Sequence, residues 1–266
     1  MGWDERQHKL LQAMGVRLWS AVAEPAPEVA LASEPEPEVP VPEVSVPVPV
    51  VRVPAPLTAP EPVALAKPAQ HFAGPIASMD WPTLQAAVAG CTACTLCRSR
   101  TQTVFGVGHR QAHWMIVGEA PGEEEDRQGE PFVGKSGQLL DNMLAAIGLS
   151  RAGDDPARQV YIANVLKCRP PANRNPQPDE AAQCEPYLRR QIELVQPRII
   201  LAMGRFAVNS LLQSDAAIGK LRGRVHQVGG VPTVVTYHPA YLLRNLADKA
   251  KAWDDLCLAR ATLTLT

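Results

Sequence analysis

The stretch His113-Trp114-Met115-Ile116-Val117-Gly118-Glu119-Ala120-Pro121-Gly122 decides how the rest of the chain is read. Its first half, His113 to Val117, predicts a buried strand, and its second half predicts a Gly- and Pro-containing turn. The same rhythm recurs downstream. Ser136 to Ile147 predicts a helix closed by Gly148, Val160 to Leu166 a second strand, and Asp179 to Val195 a second helix. Arg198 to Met203 predicts a strand, Arg205 to Leu212 a helix, Pro232 to Tyr237 a further strand and Ala247 to Leu263 a closing helix. Strands that alternate with helices predict an α/β class fold with a parallel sheet covered on both faces. Ligands in such folds bind at the carboxyl ends of the strands. Three of these strands run directly into polar turns: Gly118 to Gly122, Lys167 to Pro171 and His238 to Tyr241. A site assembled from those three turns is therefore expected.

Upstream the composition is different. Of the 26 prolines among 266 residues, 14 lie between Pro25 and Pro75, in a stretch made largely of Pro, Val, Ala and Glu. Such a segment buries too little apolar surface to offset its ordering entropy, and its Pro-Val and Pro-Glu steps favour extended conformations. Residues 23–79 are thus expected to be a disordered linker, and residues 80–266 the folded domain, which begins with a short helix after Asp80-Trp81-Pro82. Residues 1–22, with Leu10, Leu11, Met14, Leu18 and Trp19 close together, are expected to form a short amphipathic helix. With no core of its own to join, that helix either docks weakly on its own domain or binds another protein as a helix in a groove.

Charge follows the same division. Up to Asp80 there are five Lys/Arg against ten Asp/Glu, and beyond it 21 against 17, so a net charge of -1 conceals a mildly basic domain. That balance permits a nucleic-acid partner without requiring one. No apolar run approaches the roughly 18 residues that a membrane span needs, and Asp4, Glu5 and Arg6 do not begin a signal peptide, so a cytoplasmic location is expected.

In a reducing compartment, six cysteines point to metal or reactive thiols rather than disulfides. Cys91, Cys94 and Cys97 form two overlapping Cys-x-x-Cys pairs, and Cys168 and Cys184 follow. Four thiolates suit tetrahedral zinc or an iron-sulfur cluster, and spacing does not separate the two. Cys257, inside a predicted helix, reads as a buried apolar residue.

At the first turn, Glu119 follows an apolar strand between glycines that let backbone approach a ligand. Glu123 and Glu124 read as a solvated face. No phosphate-loop pattern is present. Phe132 reads as core by composition. Asn164, among β-branched neighbours, is either a buried structural amide or one that reads a ligand.

Together these stretches resemble the family 4 uracil-DNA glycosylases, the iron-sulfur branch of the uracil-DNA glycosylase superfamily. The resemblance covers about residues 85–258 and rests on Cys91 to Cys94, Val117 to Asp126, Pro131 to Gly134, Asn164 to Pro171, Asn173-Arg174 and His238 to Arg244. It implies a three-layer α/β/α sandwich around a central four-stranded parallel sheet. It also implies a structural 4Fe-4S cluster on Cys91, Cys94, Cys168 and Cys184, which leaves Cys97 spare. The substrate would be uracil-containing DNA, with one base flipped out of the stack. Phe132 would then stack on uracil, Asn164 would read its N3–H and O4 edge, and His238 would donate to O2. Gly118 and Ala120 would border the base. The superfamily's water-activating aspartate is replaced by Ala120, so Glu119 is the candidate for that task, with Glu125 second or in contact with DNA. Leu242 matches the apolar wedge that fills the gap in the duplex. Asn173, Arg174 and Arg244 would contact phosphates.

Residues Arg6 to Trp19 resemble the N-terminal peptide by which one clamp-loader subunit grips another, which suggests a replisome partner for an otherwise monomeric enzyme. Two further classes remain: a protein of this fold that captures uracil-DNA without turnover, and a noncatalytic iron-sulfur or zinc module recruited to replication.

Overall fold

Trp114–Gly118 (β2) is the strand predicted at the centre of the chain, and every residue in it is buried. The structure, a computed structural model, describes residues 75–153 and 155–265. The leader helix expected over residues 1–22, and the linker up to residue 74, lie outside the described residues.

Beside β2, Val160–Asn164 (β3) and Ile199–Met203 (β4) are buried along their whole length, and Val231–Thr236 (β6) is buried over its second half. Two short strands, Val107–Gly108 (β1) and Val225–Val228 (β5), complete a sheet of order β1-β3-β2-β4-β6-β5. The central four strands are parallel, as expected, while β1 and β5 pair antiparallel at the two edges. Those edge strands had no counterpart in the sequence expectations.

Successive side chains of a strand point to opposite faces, so each central strand feeds two cores. On one face Ile116, Ile162, Leu201 and Val234 pack with Leu140, Met143 and Leu144 of Gly134–Ala146 (α3) and with Ala252, Leu256 and Ala259 of Asp248–Leu265 (α8). On the other, Met115, Val117, Tyr161 and Ile200 pack with Leu188 and Val195 of Pro178–Val195 (α4) and with Ala207 of Arg205–Leu212 (α5). This is the three-layer α/β/α sandwich. Burial on both faces explains why the strands read as continuous apolar runs rather than as alternation.

Trp81–Ala89 (α1) starts at Asp80, whose side chain accepts from Thr83 N at 3.0 Å. Its Leu84 and Val88 join Tyr187 of α4 in a satellite core. Ile76 and Met79 also pack there, and Pro75–Ser78 forms a 3-10 turn. Residues 75–79, which composition assigned to the linker, are therefore part of the folded domain: their two apolar side chains find a core that lies far away in sequence.

Parallel register brings Gly118 level with Asn164, and Met203 level with Thr236. The turns after β2, β3 and β6 thus leave the sheet at one edge. Glu123–Gln128 (α2), Ile218–Leu221 (α6) and Pro239–Leu242 (α7) are short helices. No described helix is long and apolar enough to cross a membrane.

Candidate active site

At that edge the strand-end turns surround a cavity of about 940 Å³ bordered by Glu119, Ala120, Phe132, Asn164, His238 and Arg244. Gly118 packs against two of these residues, Asn164 and Phe132. A Cβ on Gly118 would come within 2.4 Å of Asn164 Oδ1 and 2.5 Å of Phe132 Cζ, so only glycine allows these two side chains to converge.

Asn164 is only 2% exposed, and its Oδ1 has no hydrogen-bond partner. A buried carbonyl oxygen left unpaired costs about 1–3 kcal/mol, so an oxygen in this state calls for a ligand that can donate to it. His238 caps α7: its Nδ1 accepts from Ala240 N at 3.2 Å. In the neutral ring the proton therefore sits on Nε2. Burial, with a smaller contribution from the positive charge of Arg244, pushes the imidazole down to about 4, so near neutral pH it is an uncharged donor.

Phe132 takes a left-handed backbone conformation, φ 53°, which is unfavourable for a bulky residue and needs support from its surroundings. Arg151 supplies it, donating to the carbonyls of Pro131 and Phe132 at 3.1 Å each while its Nε is held by Asp141 at 2.7 Å. The Phe132 ring lies 5.2 Å from the His238 ring at 27°, in a stacked arrangement. It is at once core and cavity wall, two readings that composition treated as alternatives.

Glu119 borders the cavity at the end of β2. Burial pushes its carboxyl up to about 7, so both protonation states are accessible near neutral pH. Glu125 has a different duty: its two carboxylate oxygens accept from Gly122 N at 3.0 Å and Val133 N at 3.1 Å, tying the first turn to the Phe132 turn. Its carboxylate thus ties two loops together, a duty that the expectation of a DNA contact did not include. Asp126, one residue on, is buried and accepts twice from Thr101 N.

Three further expectations change. Leu242 is fully buried in the main core, so it cannot act as an apolar wedge without leaving that core; Leu243 and Leu246 are the exposed neighbours, at 40% and 65%. Leu242 N closes the one-turn helix on His238 O, which directs the side chain inward. Arg174 forms a two-pronged pair with buried Glu180 at 2.9 and 2.6 Å, so it holds the loop instead of standing free for phosphate, while exposed Asn173, whose Oδ1 accepts from Arg169 at 2.8 Å, borders the cavity. Arg244 remains exposed at the cavity rim. Cys257 is exposed rather than buried, because its position on α8 faces away from the sheet.

Cys91, Cys94, Cys97, Cys168 and Cys184 line one small cavity together with Arg100 and Lys167. Arg100 Nη1 donates to Cys168 Sγ at 3.0 Å. Among the described residues no three acidic, His or Cys side chains are drawn to metal-binding distances. Burial pushes the Cys184 thiol up to about 11 and raises Cys94 and Cys168 as well, so thiolates here require positive charge from a neighbour or a metal. The donor set fits such a group: five sulfurs around one cavity, with the Arg100 guanidinium and the Lys167 amine beside them. Ala120 packs against this nest as well as against the active-site cavity, which makes the two neighbours.

Sequence reasoning missed Arg151, Asp126 and Lys167, whose partners are distant or whose burial depends on the fold.

The uracil DNA glycosylase superfamily model matches residues 105–257. The type-4 uracil-DNA glycosylase of Thermotoga maritima is 43% identical over 163 residues, which cover 60% of this chain and 82% of that protein. That of Archaeoglobus fulgidus is 43% identical over 164 residues, 59% of this chain and 79% of the relative. That of Pyrobaculum aerophilum is 39% identical over 188 residues, 68% of this chain and 93% of the relative. The chain belongs to the uracil DNA glycosylase superfamily and, within it, to the type-4 uracil-DNA glycosylases.

Proposed function

We propose that this chain hydrolyses the bond between deoxyribose and uracil in DNA, releasing free uracil and leaving an abasic site that initiates base excision repair. The observation that carries this is the unpartnered, buried Oδ1 of Asn164, a residue that borders the same cavity as a neutral, donating His238. Uracil offers N3–H to that oxygen, whereas cytosine offers a lone pair and would leave two acceptors face to face. Phe132 stacks on the flipped ring. As the C1′–N1 bond breaks, negative charge grows on the uracil, and His238 Nε2–H donates to O2. The sugar becomes cationic, and water adds to C1′. Glu119, ionised, orients that water and takes its proton. Arg244 meets phosphate at the rim, and Leu243 and Leu246 are the apolar side chains free to meet DNA.

Cys91, Cys94, Cys168 and Cys184 would hold a 4Fe-4S cluster, with Cys97 as spare. The thiols lining one cavity and the Arg100–Cys168 contact support the assignment. The group would supply structural cross-linking of the loops beside the pocket. A cytoplasmic, monomeric enzyme whose residues 1–22 recruit a replisome protein completes the reading.

The test is incubation with an oligonucleotide carrying one uracil. Free uracil and alkali-labile sites are expected over many turnovers. A stable protein–DNA adduct would favour capture without turnover, and absence of both would favour a noncatalytic module.

A further inference from the structure

Behind Asn164, away from the cavity, lies a buried polar chain that the proposed chemistry leaves unused. Lys167 is 1% exposed, and its Nζ donates to the backbone carbonyl of Asn164 at 2.7 Å and to Gln191 Oε1 at 2.6 Å. Gln191, itself fully buried on α4, donates from Nε2 to Phe105 O at 2.9 Å and to Tyr161 Oη at 3.0 Å. Tyr161 stands on β3, three residues before Asn164. A lysine is seldom buried so completely, and desolvating its amine needs a return. Balancing neighbouring thiolates is one such return, since Lys167 also borders the cysteine cavity. It does not explain why the amine is spent on the carbonyl of Asn164.

The peptide unit between Asn164 and Val165 is held at both ends. Its carbonyl is bound by Lys167, and its N–H, from Val165, donates to Gly118 O at 3.0 Å. Asn164 is the last residue of β3, and beyond it Val165 N–H to Gly118 O and Leu166 N–H to Glu119 O carry the pairing with the β2 side onward. The two hydrogen bonds on the Asn164–Val165 peptide plane fix the direction in which the Asn164 amide leaves the chain. Amine and ammonium forms of Lys167 both carry hydrogens enough for the two acceptors, so the arrangement does not depend on its charge.

We propose that Lys167, anchored by Gln191, is a positioning residue that aims the amide of Asn164 at the base in the cavity. This rests on the reading of Asn164 as the group that recognises uracil. Without the amine, the carbonyl would be left buried and unpaired, the peptide plane would rotate to find another donor, and the amide would turn away from its target. Misplacement on the scale of an ångström costs roughly a hundredfold in rate in other sites.

The experiment is a double-mutant cycle on the full chain, read by single-turnover uracil excision and by inhibition with free uracil. Lys167→Met should lower the rate roughly ten- to a hundredfold and weaken uracil inhibition in parallel. In an Asn164→Ala background the same change should cost less than about twofold, because a residue that acts through Asn164 has nothing left to aim. Gln191→Met, which does not touch the cysteine cavity, should give the same pattern at smaller amplitude, and it decides the matter if Lys167→Met fails to fold. Equal losses in both backgrounds would overturn the positioning role and leave Lys167 a structural residue. If Asn164→Ala by itself left excision and uracil inhibition unchanged, the reading of Asn164 would fail, and the role of Lys167 with it.

Discussion

His238 is neutral near pH 7, and this sets the behaviour expected of it in the proposed role. Its folded pKa, held at about 4 by burial, lies below the ordinary value, so the uncharged ring is the form the fold prefers. That preference contributes stability above about pH 6.5, which is lost as pH falls through about 4. The ring should remain an effective donor throughout the neutral range. His238→Ala is expected to lower single-turnover excision about 100- to 1000-fold with binding of uracil-DNA little changed, measured by rapid quench and anisotropy. An equal loss in binding would mean that the ring holds the ground state rather than the departing anion. Glu119 has the opposite sign. Its carboxyl is pushed up to about 7, so as a base it is half ionised there, and excision should rise with pH through about 7 and level off above. Glu119→Gln should be slow and lack that rise. The raised pKa also means that the buried carboxylate opposes folding once ionised. Stability is therefore full below about pH 4.5 and falls as pH passes through about 7, and Glu119→Gln should be more stable than the parent at pH 8 by about 1–3 kcal/mol, discounted because the group is partly solvated, and no more stable at pH 4. Thermal melts at the two pH values check the sign.

At the scale of elements, the strand-end turns were legible because each joins an apolar run to a polar Gly- or Pro-bearing turn, and parallel register then brings those turns to one edge. Other features depended on information that the local pattern does not hold. The edge strand β5 had a signal that was passed over: Val228-Gly229-Gly230-Val231 is a two-residue hairpin turn with φ of 57° and 85° at the glycines, the backbone that such turns require. The two residues of β1 are too few for any periodicity. The inward phase of Leu242 on a single-turn helix, and the pairing of Arg174 with Glu180, were invisible because motif position says nothing about which way a short helix faces. The cysteine nest stood between these cases. Sequence grouped Cys91, Cys94, Cys168 and Cys184, and these four line one cavity, yet Cys97 lines it as well. Separate Cys→Ser changes resolve this. Cys168→Ser and Cys184→Ser should each lose bound iron and lower the melting temperature, whereas Cys97→Ser should retain iron and sulfide at parent levels, measured on protein purified without oxygen. Zinc in place of iron would defeat the cluster assignment.

For the whole molecule, the thiols begin at Cys91, the superfamily match spans residues 105–257 and every residue proposed for the chemistry lies after Pro75. A chain beginning at Pro75 should accordingly excise uracil within about twofold of the full-length rate. The same division locates the electrostatics. The acidic excess lies before residue 80 and the basic excess after it. Because Arg174 is already paired with Glu180, the exposed cations that border the cavity are Arg205 and Arg244. Each neutralised phosphate contributes a slope of about -0.9 in the logarithm of affinity against the logarithm of salt. Two or three contacts would weaken binding roughly ten- to fortyfold between about 50 and 200 mM salt. Arg244→Ala should lower that slope by about one unit, and should do so equally for uracil-containing and normal DNA, since a phosphate contact carries no information about the base. A slope unchanged by the substitution would move the phosphate contacts elsewhere on the surface while leaving the uracil pocket as described.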